Sequence, residues 1–313
     1  MMSGRLYIDG VDVYREYGVY VVEGGWNELL SFPPLKPVKS NDWQEEDGIE
    51  ADLSAPVLNT RELTIKFAVG GVNANYGDFL ELLNDNAYHT FNCVTIGAQY
   101  TLRLVSHGSV DLAQQLGFLS IRFANDFPPV FDEGNVPVPT GGGVTPSSDF
   151  TLDEKPLSDY GVRVLDGSLN EIKKGGAVKQ GLLRNIGSQG GAVYDEDIDV
   201  HYKSKDVKLR CLLRADSLSE MWQNYYALLH DLIQPEERSL FVEELDTAFA
   251  CFYKSSSVTD FSPNGRVWLE FTLTLTFCRD FRFNEDIVLA TEDDYVINTE
   301  DSDDAIDLRP DKI

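Results

Sequence analysis

Between Arg61 and Gly70 the chain alternates strictly, with Leu63, Ile65, Phe67 and Val69 on one side and Glu62, Thr64, Lys66 and Ala68 on the other. A period of two predicts a half-buried strand. Before it, Leu6–Ile8 and Tyr17–Val22 are short β-branched or aromatic runs bounded by glycine, which is a strand signal. After it the period changes. Phe79, Leu82 and Leu83 recur at helical spacing in Tyr76–Asn86, which predicts a short amphipathic helix capped by Asp78 and ended by Asn84 or Asn86. Tyr100–Val105 and Phe118–Phe123 return to alternation, with Ser106–Ser109 read as the turn between them. Ser31–Gly48 is polar, carries Pro33, Pro34 and Pro37, and reads as a long excursion outside the core.

The same order then recurs. Tyr160-Gly161-Val162 repeats Tyr17-Gly18-Val19, and Asp206–Cys211 has the pattern of Glu62–Phe67. Asn224–Leu229 follows as a second amphipathic helix, matching Asp78–Leu83, and Phe249–Tyr253 takes the place of Tyr100–Leu104. Phe277–Phe281 shares an F-x-x-D-F ending with Phe123–Phe127. The separations are 143, 144, 146, 149 and 154 residues, growing slowly and never reversing, as small loop insertions would require. We read this as an internal duplication.

Between the copies lies Pro128–Pro156, where proline recurs, Gly141–Gly143 form a run and no apolar period is sustained. Proline removes backbone donors while glycine frees the backbone, so neither helix nor strand is favoured there. The segment reads as a hinge-like linker, long enough that the two copies need not pack rigidly. The expected division is a first domain over 1–127, a linker over 128–156, a second domain over 157–283 and an acidic arm over 284–313. The expected fold class is α+β and predominantly β: two similar tandem sandwich- or barrel-like domains, each with a flanking helix.

Composition fits that reading, with 42% apolar residues, 17 Phe and 14 Tyr. The net charge of −26 argues against specific nucleic-acid binding, which needs clustered Lys and Arg, and against adsorption on an anionic membrane. It fits a soluble surface that repels its neighbours and, as the sharper alternative, acidic faces that meet basic partner faces in an assembly. Residues 284–313 hold eleven acids against Arg309 and Lys312, a self-repelling arm in which Asp286–Ala290 and Tyr295–Ile297 retain the capacity to add a strand to a neighbour. No apolar run reaches the roughly 18–20 residues that span a bilayer. The opening MMSGRLYIDG lacks the apolar core of a signal peptide. Cys93, Cys211, Cys251 and Cys278 have no metal-binding spacing, which points to reduced, buried thiols and no zinc site.

No catalytic, cofactor-binding or metal-binding constellation emerges. His89, His107, His201 and His230 fall in no metal or nucleophile motif. Asp195–Asp199 is a dense acid cluster but lacks the glycine and terminal glutamate of a calcium loop. Gly141–Gly143 and Gly187–Gly191 lack the Lys-Ser/Thr of a phosphate loop. Of the tryptophans Trp26, Trp43, Trp222 and Trp268, the last two fit core or helix-face positions. A non-enzymatic protein without cofactors is expected.

Ile8–Asp12 followed by Tyr17–Val19 resembles the start of the distal-tail and tail-tube-like structural proteins of long-tailed bacteriophages, and Arg61–Phe67 resembles the arginine-led strand that follows the loop in that family. The resemblance covers Leu6–Phe127, and more weakly Gly161–Phe281. It implies a sheet-rich domain that assembles into a ring around the tail channel of a virion assembled in the bacterial cytoplasm. Its partners would be copies of itself and other tail proteins. Many distal-tail proteins carry a carbohydrate-module-like second domain, whereas this chain repeats the first. Three chains would then form a pseudo-sixfold ring; the alternative is six chains with one domain each in the ring. The competing functional class is a non-enzymatic carbohydrate- or protein-binding module of two β-rich domains. A third, an enzyme with a dispersed carboxylate site, has no residue pair to recommend it.

Overall fold

A computed structural model describes residues 3–279, apart from 114–115, 132–133, 135, 181–182, 185–187, 189, 192 and 195–199. These residues fall within one compact unit, Met1–Asp280. The acid cluster Asp195–Asp199 and the arm over 284–313 lie outside the described residues.

Two seven-stranded antiparallel sheets dominate. The first uses β1 (Leu6–Ile8), β2 (Val11–Asp12), β3 (Val19–Val21), β4 (Arg61–Val69), β5 (Tyr88–Cys93), β6 (Ala98–Ala113) and β7 (Leu116–Asn125). The second uses β8 (Phe150–Leu152), β9 (Lys155–Pro156), β10 (Val162–Val164), β11 (Lys205–Ala215), β12 (Arg238–Val242), β13 (Thr247–Ser262) and β14 (Val267–Phe277). Their orders are β2-β1-β5-β6-β7-β4-β3 and β9-β8-β12-β13-β14-β11-β10, the same order twice. The helices are α1 (Val13–Tyr17), α2 (Asn27–Leu30), α3 (Tyr76–Leu83), α4 (Ser168–Lys173) and α5 (Leu218–Leu232).

The alternation in Arg61–Val69 does what its period predicts. Leu63, Ile65 and Phe67 are buried, and α3 lays Phe79 edge-on against Phe67 with ring centroids 5.4 Å apart. In the second half Val207, Leu209, Cys211 and Leu213 are buried, and Tyr225 of α5 meets Phe271 at 5.3 Å. The start of α3 is capped by Asn75, whose side chain accepts from the Asp78 N–H at 3.2 Å; Asp78 sits inside the first turn.

The two halves agree down to single hydrogen bonds. Gly18 and Gly161 both take left-handed φ (64° and 68°), which ends the preceding helical turn and which only glycine adopts cheaply. The Gly70 N–H donates to Gly18 O at 2.9 Å, and the Arg214 N–H to Gly161 O at 2.9 Å. In the β1–β2 turn Asp9 accepts from the Thr90 N–H (2.8 Å) and meets His89 Nδ1 (2.7 Å); in the β8–β9 turn Asp153 accepts from the Ser239 N–H (2.8 Å) and Arg238 (2.8 Å).

Further sequence expectations need correction. Ser106–Ser109 is no turn: β6 runs through it, absorbing the extra residues in two register shifts, between Leu104 and Ser106 and between His107 and Val110. Bulges let a polar, glycine-containing stretch stay in a ladder that a simple period count would break. The F-x-x-D-F match is out of register by two. β4 pairs Leu63 with Phe123 while β11 pairs Val207 with Leu275, so Phe123 corresponds to Leu275. Finally, the end of Pro128–Pro156 belongs to the second sheet, because Phe150–Leu152 and Lys155–Pro156 are the counterparts of Leu6–Ile8 and Val11–Asp12.

Nor is the rest of that segment a free hinge. Phe131 packs edge-on against Tyr226 and His230. Val138 O accepts from Gln223 at 2.6 Å, and the Thr140 N–H donates to Asn224 at 2.7 Å. Gly142 then passes so close to β11 that a Cβ there would lie 2.2 Å from Arg214 O. Phe131, Val138 and Thr140 are thus laid along α5, and farther on Ser147 exchanges hydrogen bonds with Ser158 while Arg163 donates to Thr145 O at 2.7 Å.

Candidate functional site

The feature with the most unusual chemistry is the junction where the two halves of the chain meet. Ser31–Gly48, expected outside the core, supplies much of it: Phe32, Pro33 and Leu35 are buried. Apolar residues among prolines carry no period, and what covers them comes from far away in sequence. The Asn27 side chain donates to Thr259 O (2.9 Å), the Val258 N–H to Ser31 Oγ (2.9 Å), the Phe32 N–H to Ser256 Oγ (2.8 Å) and the Leu35 N–H to Lys254 O (3.1 Å). Tyr253 donates its hydroxyl to Pro33 O at 2.9 Å, and Phe32 stacks on Tyr225 at 3.7 Å. The excursion of the first half is therefore laid along β13 of the second.

Arg61, at the start of β4, holds the other side of this contact. Its guanidinium donates to Glu28 O (2.8 Å), to Leu29 O (2.9 Å) and to Ser31 O, the carbonyls around the end of α2. A cation at the C-terminal end of a helix meets both unsatisfied carbonyls and the negative pole. Burial works against its charge and lowers its pKa, while the neighbouring Tyr100, Tyr225 and Tyr253 act in the opposite direction. Burial pushes the pKa values of those three hydroxyls up and keeps them protonated; Tyr100 donates to Leu29 O at 2.8 Å, as Tyr253 does to Pro33 O.

α5 closes the junction from the second half. Trp222 donates from Nε1 to Ile96 O at 2.6 Å and stacks on Tyr226 at 5.1 Å, so it is a bridging residue on a helix face. Farther out, buried Lys179 reaches Asp42 (2.6 Å), Gly48 O (2.8 Å) and Trp43 O. The Gly48 N–H donates to Tyr202 O at 2.7 Å and the Ile49 N–H to Cys278 O at 2.8 Å.

The residues weighed as chemical candidates do not converge. His89 is buried between Asp9 (2.7 Å) and Asp85 (3.1 Å), His230 meets Asp231 at 2.9 Å, His201 lies 3.4 Å from Asp47, and His107 is exposed on β6. All four cysteines are buried and unpaired. Trp43 is half-exposed with its Nε1 on Glu50, Trp26 is buried and Trp268 is partly exposed on β14. Among the described residues no three His, Cys, Asp or Glu side chains are grouped to hold a metal. An open cleft of about 760 Å³ is lined by both signs of charge, including Lys39, Glu50, Glu237 and Arg279. No described helix is long and apolar enough to cross a membrane. What sequence reasoning missed is the pairing of Arg61 with the end of α2. The only available signal was a lone arginine opening a strand.

No protein-family model matches the chain, and no curated protein matches it. Among solved structures it is similar to the crystal structure of the SPP1 Dit protein, described as a paradigm of the hub adsorption apparatus in Gram-positive infecting phages. The match has 10% identity and a TM-score of 0.27, over 87% of this chain and 98% of that one. Agreement of that depth carries no functional argument.

Proposed function

We propose that the chain is a structural subunit of a phage or prophage tail, a distal-tail or baseplate-hub ring component that works by self-assembly and not by catalysis. One observation carries the reading. The same fold occurs twice in a chain, and the copies are joined by a contact in which one surface of the first, α2 and Ser31–Leu35, meets a different surface of the second, Lys254–Thr259 of β13. Contacts of this heterologous kind are what build rings when their rotation closes. A duplication explains why the two sheets share an order and why Asp9 and Asp153, or Gly18 and Gly161, make equivalent hydrogen bonds.

The resemblance of Ile8–Asp12, Tyr17–Val19 and Arg61–Phe67 to distal-tail proteins gives the assembly its setting: a ring on the tail channel, built either of three chains with both copies in a pseudo-sixfold ring or of six chains with one domain of each in the ring. An acidic chain of net charge −26 suits a conduit for DNA, which it would repel. Electron microscopy of the purified chain, free and mixed with the other tail proteins of its phage or prophage, tests the reading. Rings that cap a tail tube are expected. A chain that never associates with itself or with any tail protein contradicts it.

A further inference from the structure

Each half sends out an excursion closed at its base in the same way. In the first, Leu35 bridges Leu58, flanked by the bonds Lys36 N–H to Val57 O (2.9 Å) and Asn59 N–H to Pro34 O (2.7 Å). In the second, Val178 bridges Tyr202, flanked by Lys179 N–H to His201 O (2.7 Å) and Lys203 N–H to Ala177 O (2.7 Å). Val178 is thus the counterpart of Leu35. In this antiparallel pattern the flanking residues face the partner segment, and the central residue turns its own N–H outward. Leu35 uses that outward N–H to bind Lys254 O, and it is only 9% exposed. Val178 is 53% exposed.

The receiving surface also occurs twice. Lys254 is the extra residue in the register shift of β13 between Tyr253 and Ser255; Val105 is the extra residue in the shift of β6 between Leu104 and Ser106. Farther along, Val258 lies opposite Phe271, and Val110 lies opposite Leu119, the position equivalent to Phe271. Val258 is covered by Ser31 and is 8% exposed, whereas Val110 is 46% exposed beside the exposed Phe118. One donor and one acceptor satisfy each other inside the chain. The second donor, around exposed Val178, and the second acceptor, running from half-buried Val105 to exposed Val110, meet no such partner among the described residues.

We infer that these two surfaces bind each other between copies of this chain. The Lys174–Val178 segment of one copy lies along β6 of the next, with the Val178 N–H on Val105 O and Val110 covered, as the first excursion lies along β13. This rests on the assembly reading above and deepens it by giving the interface. The occupant is a second copy because the surface it must match is already matched once, by the same fold, within the chain. Gly175 and Gly176 stand where Phe32 and Pro33 stand, so the aromatic anchor on Tyr225 has no equivalent. The contact between chains is accordingly weaker than the internal one and depends on concentration.

The test uses Val178→Asp and Val110→Asp in the full chain, both at exposed sites, with circular dichroism and thermal unfolding to establish that each variant is folded. Mass photometry and analytical ultracentrifugation then read the species present. The wild type is expected to associate as concentration rises, and each variant alone to stay monomeric. An equimolar mixture of the two is expected to give a 1:1 dimer that grows no further, since it holds one intact donor and one intact acceptor. Folded variants that assemble like the wild type, a mixture that stays monomeric, or a wild type monomeric at the highest concentration overturn the inference. Tail-capping rings insensitive to both substitutions would sink this interface and leave the tail reading standing. Open filaments lost in both variants would keep the interface and count against the ring.

Discussion

Arg61 and Lys205 hold the same post, 144 residues apart: each opens the long inner strand of its sheet and sends its cation to the carbonyls that end a short helix. Arg61 reaches Glu28, Leu29 and Ser31, and Lys205 reaches Ile172 (2.5 Å) and Lys174 (2.6 Å). The forked guanidinium reaches three carbonyl oxygens in a fixed planar geometry that an ammonium lacks. Loss of hydrogen bonds from a charged donor in a part-buried site costs roughly 1.5–3 kcal/mol. Arg61→Ala should therefore lower stability by about that amount in urea unfolding, while Arg61→Lys should lose less. Equal losses for both would show that the fork contributes nothing.

Lys205 gives a pH dependence. Burial lowers its pKa from 10.5 to about 8, so between those values the unfolded chain binds more protons at this site than the folded chain. The contribution of Lys205 to stability therefore rises with pH across that window, and its penalty is fully present below about pH 8. Denaturation of the wild type and of Lys205→Met from pH 7.5 to 9.5 should show a stability difference that moves in favour of the wild type as pH rises. A pH-independent difference would contradict this placement of the amine.

The four thiols should be silent. Burial pushes Cys93, Cys211 and Cys278 up to about 12 and Cys251 higher still, so neither thiolate nor access is present at neutral pH. A chromogenic disulfide reagent should titrate none of them in the native chain and all four in denaturant. Fast reaction of even one native thiol would contradict its burial.

The alternating strands were legible because Arg61–Val69 and Lys205–Ala215 each bury one face, and burial writes itself into a period of two. Gly18 and Gly161 were legible as a repeated Tyr-Gly-Val triplet, but not as the left-handed helix ends they are, because the helical turns before them are too short to show a period. The junction was not legible. Phe32, Pro33 and Leu35 are covered by Tyr225, Ser256 and Lys254, partners more than 190 residues away that leave no local pattern. Arg61 and Lys205 escaped notice as a pair because they differ in type. Ser106–Ser109 looked like a turn because a bulge uses turn residues. The F-x-x-D-F match was coincidence at the level of register, as the pairing of Leu63 with Phe123 and of Val207 with Leu275 shows.

Phe32 should couple the halves. It is buried and stacked at 3.7 Å on Tyr225 of the other half. Truncation of a buried phenylalanine costs about 3–5 kcal/mol. Phe32→Ala should lose that much and, since the contact spans both halves, split a single unfolding transition into two in calorimetry. A single transition with an unchanged midpoint would mean the excursion is peripheral to stability.

Whether the chain is a ring-building tandem is tested most directly by imaging the purified protein in negative stain while measuring its mass in the same sample. A closed ring is expected, with twice as many sheet domains around it as chains in the particle. A particle that remains a monomer at high concentration in every condition would contradict it.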